Sequence, residues 1–150
     1  MLWVKTFFGI LFQTALLGAF LYLPALTLNW ADALLFLSIH FLITILASAY
    51  LLIVKPASIE ARMNYDSEAQ PKEDRLATVL MLSAIAVGLS LAPIDIFHLN
   101  LSSTFQGNIK NIGLGLYIVG MLLVMASMNA NEFAETTVNI QEERGQRVID

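Results

Sequence analysis

Ala33-Leu-Leu-Phe-Leu-Ser-Ile-His-Phe-Leu-Ile-Thr-Ile-Leu-Ala-Ser-Ala-Tyr-Leu-Leu-Ile-Val54 is a run of 22 residues without a charged side chain, bounded by Asp32 and Lys55. A helix needs about 20 mainly apolar residues to cross the roughly 30 Å of bilayer hydrocarbon. Three other runs meet that length: 26 uncharged residues between Lys5 and Asp32, 19 between Arg75 and Asp95, and 21 between Lys110 and Glu132. The 14 residues between Asp95 and Lys110 are too few, and they include His98, Asn100, Gln106 and Asn108. Four spans follow, at about residues 6–23, 33–54, 76–92 and 112–129. Pro24, Pro56 and Pro93 stand where the first three should stop.

The rest of the composition agrees. Of 150 residues, 57% are hydrophobic and 13% charged, about half the charge of an ordinary soluble domain. A soluble enzyme or binding module is excluded on that ground. A net charge of −4 leaves no basic surface for nucleic acid. The absence of cysteine removes disulfides, thiolate metal sites and a cysteine nucleophile. The fold class is therefore all-α: a polytopic integral membrane protein whose partner is the lipid bilayer.

Residues 55–75 carry nine charges in 21 positions, and at roughly 2.5–3.5 kcal/mol per charge at mid-bilayer they must form a solvated loop. Lys5, four basic residues of this loop, Arg144 and Arg147 share one side of the membrane, leaving only Lys110 opposite. The positive-inside rule then places both termini in the cytoplasm, in an inner (cytoplasmic) membrane. A cleaved signal peptide is disfavoured, because the first apolar run exceeds the usual 7–15 residues of a signal core and bulky Leu23, Pro24 and Leu26 follow it. The chain divides into a four-span domain, 1–130, and a cytoplasmic tail, 131–150.

Within the spans, His40, Thr44 and Ser48 recur at four-residue spacing and form one polar stripe. An ionisable residue at membrane depth is a functional candidate. Yet His40 has no Asp or Glu at matching depth for a relay, and a neutral histidine there can simply bond a neighbouring helix. Ala84, Gly88 and Ala92 share a face of the third span, as do Gly113, Gly120 and Ser127 of the fourth. Small residues let membrane helices approach closely, so these faces are expected to pack inside one bundle, with a homodimer seam as the alternative. No glycine-rich phosphate loop, G-x-S-x-G elbow or H-E-x-x-H motif is present. Asp95 and His98 could pair, but two ligands do not make a metal site.

The tail changes character. Thr136, Val138 and Ile140 alternate with Thr137, Asn139 and Gln141, a short strand-like pattern. Asn131-x-Phe133 followed by Val138-x-Ile140-Gln141-x-x-Arg144-Gly145-x-x-Val148 resembles the N-x-F…V-x-I-Q-x-x-R-G-x-x-V stretch that follows the fourth span of the isoprenylcysteine carboxyl methyltransferase family, particularly its bacterial members. Looser, collinear matches run through the rest of the chain. They are Leu23-Pro24-Ala25 with Thr27-Leu28-Asn29-Trp30, Lys55-Pro56 with Glu60-Ala61-Arg62, and Asp74-Arg75. Asp95 is in place, but Phe97 stands where the family often has arginine.

The resemblance implies an S-adenosylmethionine-dependent methyltransferase acting on a lipidated or small hydrophobic carboxylate. It also implies that the cofactor is held by a later G-P-Y…R-H-P-x-Y block, which these 150 residues do not contain. The expectation is the membrane-embedded N-terminal half of such an enzyme, truncated or split, inactive alone and binding no cofactor by itself. Gln141, Arg144 and Gly145 would lie nearest the cofactor, with Arg144 suited to a carboxylate through its forked donors. His40 would be a weaker substrate-adjacent candidate. A separate C-terminal half or a second copy would be its protein partner. The alternative is a non-enzymatic four-span scaffold or partner subunit. Transport ranks last, resting on the His40 stripe alone.

Overall fold

The computed structural model describes residues 1–63, 72–101 and 108–130. The order is α1 (Leu2–Ala25), α2 (Ala31–Val54), α3 (Pro56–Met63), α4 (Lys72–Ile94), a π-helical segment (Asp95–Leu99) and α5 (Asn108–Ala130). Among the described residues all regular structure is helical, and four helices are long and apolar enough to cross a membrane. This is a multi-pass membrane fold. The strand-like tail and its Gln141, Arg144 and Gly145 lie outside the described residues.

The helices overrun the charge-free runs at their starts. α1 begins before Lys5, α4 takes in Lys72 to Arg75, and α5 begins two residues before Lys110. Backbone hydrogen bonding does not stop at the hydrocarbon edge, and the exposed Lys5 and Lys110 can reach water along their own stems.

Two expectations need correction. Pro93 does not end the third span. α4 runs through it to Ile94, and the chain then rewinds, its Asn100 N–H bonding the Asp95 carbonyl five residues back at 2.7 Å. Proline lacks the N–H that the α-helical ladder needs and crowds the preceding turn, and in membrane helices local π adjustments re-satisfy the backbone groups that proline frees. Asn100 closes the segment in the left-handed region, at φ 53°. Likewise, residues 55–75 are not all open loop. Pro56 stands at the first position of α3, where its missing N–H costs nothing and its fixed φ suits the helix. Ser58 and Ile59 of that helix are buried.

α1 is the central helix. It packs on α2 along one flank and on α4 along another, while α5 leans on α2. No substantial packing joins α4 to α5 among the described residues. Close approach of α1 and α2 passes over Gly18, where a Cβ would lie 3.5 Å from Leu37 Cδ1. At the α3 end, Leu51, Leu52 and Ile59 form the tightest apolar cluster, with Leu2 and Met128 against it.

The small-residue faces do not do what the sequence suggested. Ala84, Gly88 and Ala92, and Gly113, Gly120 and Ser127, are all exposed. A Cβ built on Gly88, Gly113 or Gly120 meets nothing within 4 Å. The helices form an open arrangement centred on α1 and α2: the α4 face meets no neighbour at Gly88, and on α5 Gly113 borders an open cleft instead of touching another helix.

Candidate functional site

α1 and α5 both rest on α2 but are held apart, and the gap between them is a cavity of about 430 Å³. Its α1 wall is Thr6, Gly9, Ile10 and Gln13; its α2 floor carries Thr44, Ser48 and Leu51; α3 closes one end with Ile59, Arg62 and Met63. Met121, Met125 and Met128 recur along α5 and line the opposite wall. Unbranched methionine adapts its shape to an occupant. The walls are therefore apolar and yielding, and the cation of Arg62 stands at the α3 end. Burial pulls the Arg62 guanidinium below its usual pKa, but that value lies so far above neutrality that the charge remains.

The spacing predicted a polar stripe on α2, and the structure sends it two ways. Thr44 and Ser48 face the cavity. His40 lies one turn beyond it, only 3% exposed, with Nδ1 hydrogen-bonded to the Tyr117 hydroxyl of α5 at 2.5 Å. Phe36, a turn earlier, packs on the Tyr117 ring at 4.8 Å between centroids. The partner that the sequence reading sought among carboxylates is thus a phenol. Tyrosine buried in an apolar helix usually finds a partner for its O–H, and that rule would have pointed to Tyr117.

Above this pair, a smaller cleft of about 250 Å³ opens between the N-terminal turns of α2 and α5. Phe36 and Tyr117 are among its lining residues, and Asp32 and Lys110 stand at its rim, joined by a 2.8 Å ion pair. The His40–Tyr117 contact therefore lies between two cavities along the α2–α5 seam.

The same end of the molecule carries a second polar knot. His98 Nε2 donates to the Pro24 carbonyl at 2.7 Å, filling an acceptor left open at the end of α1. Asp95 Oδ1 accepts from the Leu101 N–H at 2.7 Å. Phe97 packs edge-on against Trp30 at 5.3 Å, and Tyr22 donates its hydroxyl to the Trp30 carbonyl. Asp95 and His98 thus serve the corner between α1 and the π-helical segment, and no metal-holding group of acidic, histidine or cysteine side chains occurs among the described residues. At the opposite end, Lys55 Nζ donates to the Asn129 carbonyl near the end of α5 at 2.6 Å.

Of the residues singled out in the sequence, His40 is brought against α5. Gln141, Arg144 and Gly145 lie outside the described residues. Arg62 was read there only as a loop charge within a loose family match, and the α5 methionines were not singled out, because the cavity arises from the spacing of α1 and α5 and no local pattern encodes it. Comparison with protein-family models, with curated proteins and with solved structures finds no match for this chain.

Proposed function

We propose that this chain is the membrane-embedded N-terminal part of an isoprenylcysteine-type carboxyl methyltransferase, seated in the inner membrane with both termini in the cytoplasm. The observation that carries the reading is the methionine-walled cavity with Arg62 at its α3 end. An apolar trough closed by a cation fits an amphiphilic carboxylate, its chain among the α5 methionines and its head at the guanidinium. The cavity's α3 end adjoins Met128, from which the chain continues into the stretch that resembles the family's tail motif. The lysine and arginine asymmetry supports a cytoplasmic α3 end, the side on which a charged sulfonium cofactor would be met.

S-adenosylmethionine belongs to this reading only through the resemblance. The described residues offer it no carboxylate-lined or glycine-rich recess, and the 150 residues lack the R-H-P-x-Y block. Methyl transfer requires the sulfonium in line with the acceptor oxygen, so these residues are assigned to the lipid substrate and not to the methyl donor. The test is photolabelling in lipid nanodiscs with a farnesylcysteine analogue that carries a photoreactive group on its chain. The expected adducts fall on Met121, Met125 and neighbouring α2 residues, and Arg62→Gln weakens them. Labelling spread evenly over the lipid-facing surface would sink the assignment, and stoichiometric S-adenosylmethionine binding would overturn the division of roles.

The exposed small-residue face of α4 favours a second reading, a scaffold or partner subunit. Gly88 has open space around it, so Gly88→Leu should leave the monomer folded. Loss of a membrane crosslinked dimer in that variant supports a seam between copies; an unchanged crosslinking pattern removes it.

A further inference from the structure

α5 turns one face to both cavities. Gly113, Tyr117, Met121, Val124 and Met128 follow one another at three- and four-residue spacing, so they stack along one side of the helix. Gly113 and Tyr117 line the upper cleft, whereas Met121, Val124 and Met128 line the lower cavity. On α2, His40 precedes Thr44, Ala47 and Leu51 at the same kind of spacing, and those three line the lower cavity. The cavity-forming face of each helix therefore continues one turn further, to His40 and Tyr117, and there the two helices meet. Phe36 completes the contact. Its ring lies 4.8 Å from that of Tyr117 and 6.5 Å from that of His40 between centroids, and the His40 and Tyr117 rings are 6.3 Å apart. Three rings thus occupy the α2–α5 seam at the level between the two cavities.

We propose that the Phe36, His40 and Tyr117 rings are the end-stop of the lower cavity and set the length of hydrocarbon chain that it encloses. The inference rests on the reading that Arg62 holds a carboxylate head at the other end, and adds a limit on the chain. The cavity runs from Thr6 to Gln13 along α1, from Ile43 to Leu51 along α2 and from Met121 to Met128 along α5, in each case about 10–12 Å at 1.5 Å per residue. One leaflet of hydrocarbon is deeper, about half of 30 Å. The enclosed chain is therefore shorter than the acyl chains that fill a leaflet. Pushing past the rings would part the His40–Tyr117 hydrogen bond and the ring packing together. Surplus chain has an easier way out between α1 and α5, which share no substantial packing among the described residues, because lipid offers it the same apolar surroundings.

The experiment maps where the end of a bound chain lies. Caprylate, laurate and palmitate, each with a diazirine at the chain terminus, are photolysed on the 150-residue chain in nanodiscs, and only adducts that excess unlabelled laurate suppresses are counted. The caprylate and laurate adducts are expected to advance along α5 from Met125 to Met121, and the palmitate adduct to advance no further. Tyr117→Ala removes the stop, so the palmitate adduct should shift to Leu114 in the upper cleft, about 10 Å beyond Met121, with the caprylate adduct unchanged. Tyr117→Phe keeps the ring and should keep the stop. If Tyr117→Ala loses the caprylate adduct as well, Phe36→Ala opens the seam from the α2 side and takes its place. Palmitate adducts on Leu114 in the unaltered protein or in Tyr117→Phe, or none there when a ring is removed, would refute the end-stop and leave the head site standing. Caprylate labelling that is absent, or that survives Arg62→Gln undiminished, would overturn the reading of the cavity and the end-stop with it.

Discussion

Tyr117→Phe isolates the one side-chain bond among the described residues that ties α5 to α2 in mid-membrane. The substitution deletes only the hydroxyl. The ring that packs on Phe36 at 4.8 Å remains, so the aromatic contact cancels between the two proteins. What is lost is the sole hydrogen bond of His40, a residue 3% exposed whose other ring nitrogen already has no partner. Leaving a buried polar group unpaired costs about 1–3 kcal/mol in water-soluble proteins. In membranes the unfolded chain also finds partners, and measured couplings average about 0.6 kcal/mol with a ceiling near 1.7. The imidazole here becomes wholly orphaned, which argues for the upper part of that range, about 1–1.5 kcal/mol. The assay is reversible unfolding in mixed micelles for Tyr117→Phe, His40→Phe and the double variant. Removing both partners leaves nothing unpaired, so the double variant should be more stable than the sum of the single losses, with a coupling near 1 kcal/mol. A coupling indistinguishable from zero would refute the claim that this bond holds α5 in place.

Leu51→Ala, at the centre of the Leu51–Leu52–Ile59 cluster and 1% exposed, should destabilise the same unfolding equilibrium by about 2–4 kcal/mol, and a loss under 1 kcal/mol would mean that α3 does not pack as described. His98→Ala removes the donor to the Pro24 carbonyl; it should cost about 1 kcal/mol and shift the emission of Trp30, which packs on the adjacent Phe97, whereas unaltered emission would detach the corner from that bond. Asp32→Asn should change stability by less than about 1 kcal/mol, because the ion pair with Lys110 is half exposed on both sides, and a larger loss would show that the rim of the upper cleft is dry.

The four spans could be read from the sequence because the physics is local: a charge in hydrocarbon is so costly that its absence over some 20 residues is itself the signal. Asp32 and Lys55 bound α2 within two residues of its ends. The same logic underestimates α1, α4 and α5, whose first turns carry charges beyond the hydrocarbon. α3 had a readable sign in Pro56, which ends one helix and begins the next; taken only as a stop, it hid a helix that shapes the cavity. His40 was visible as an ionisable residue at depth, but its partner was not, because Tyr117 is 77 positions away and only packing of α5 on α2 brings the two together. The small-residue faces misled for a related reason. Spacing shows that Gly113 and Gly120 share a side of α5; which way that side turns depends on how few neighbours α5 has.

Everything in the functional account requires the α3 end of the cavity, with Arg62, to open toward the cytoplasm, because a charged sulfonium methyl donor is met only there. The chain contains no cysteine, so single cysteines report topology without background. Glu60→Cys on α3 and Leu28→Cys between α1 and α2, both exposed positions, should be probed with a membrane-impermeant maleimide in intact cells and in inverted vesicles. The expected result is labelling at position 28 only in cells whose outer barrier is permeabilised, and at position 60 only in inverted vesicles. The reverse pattern would put Arg62 on the outer face and contradict the methyltransferase reading.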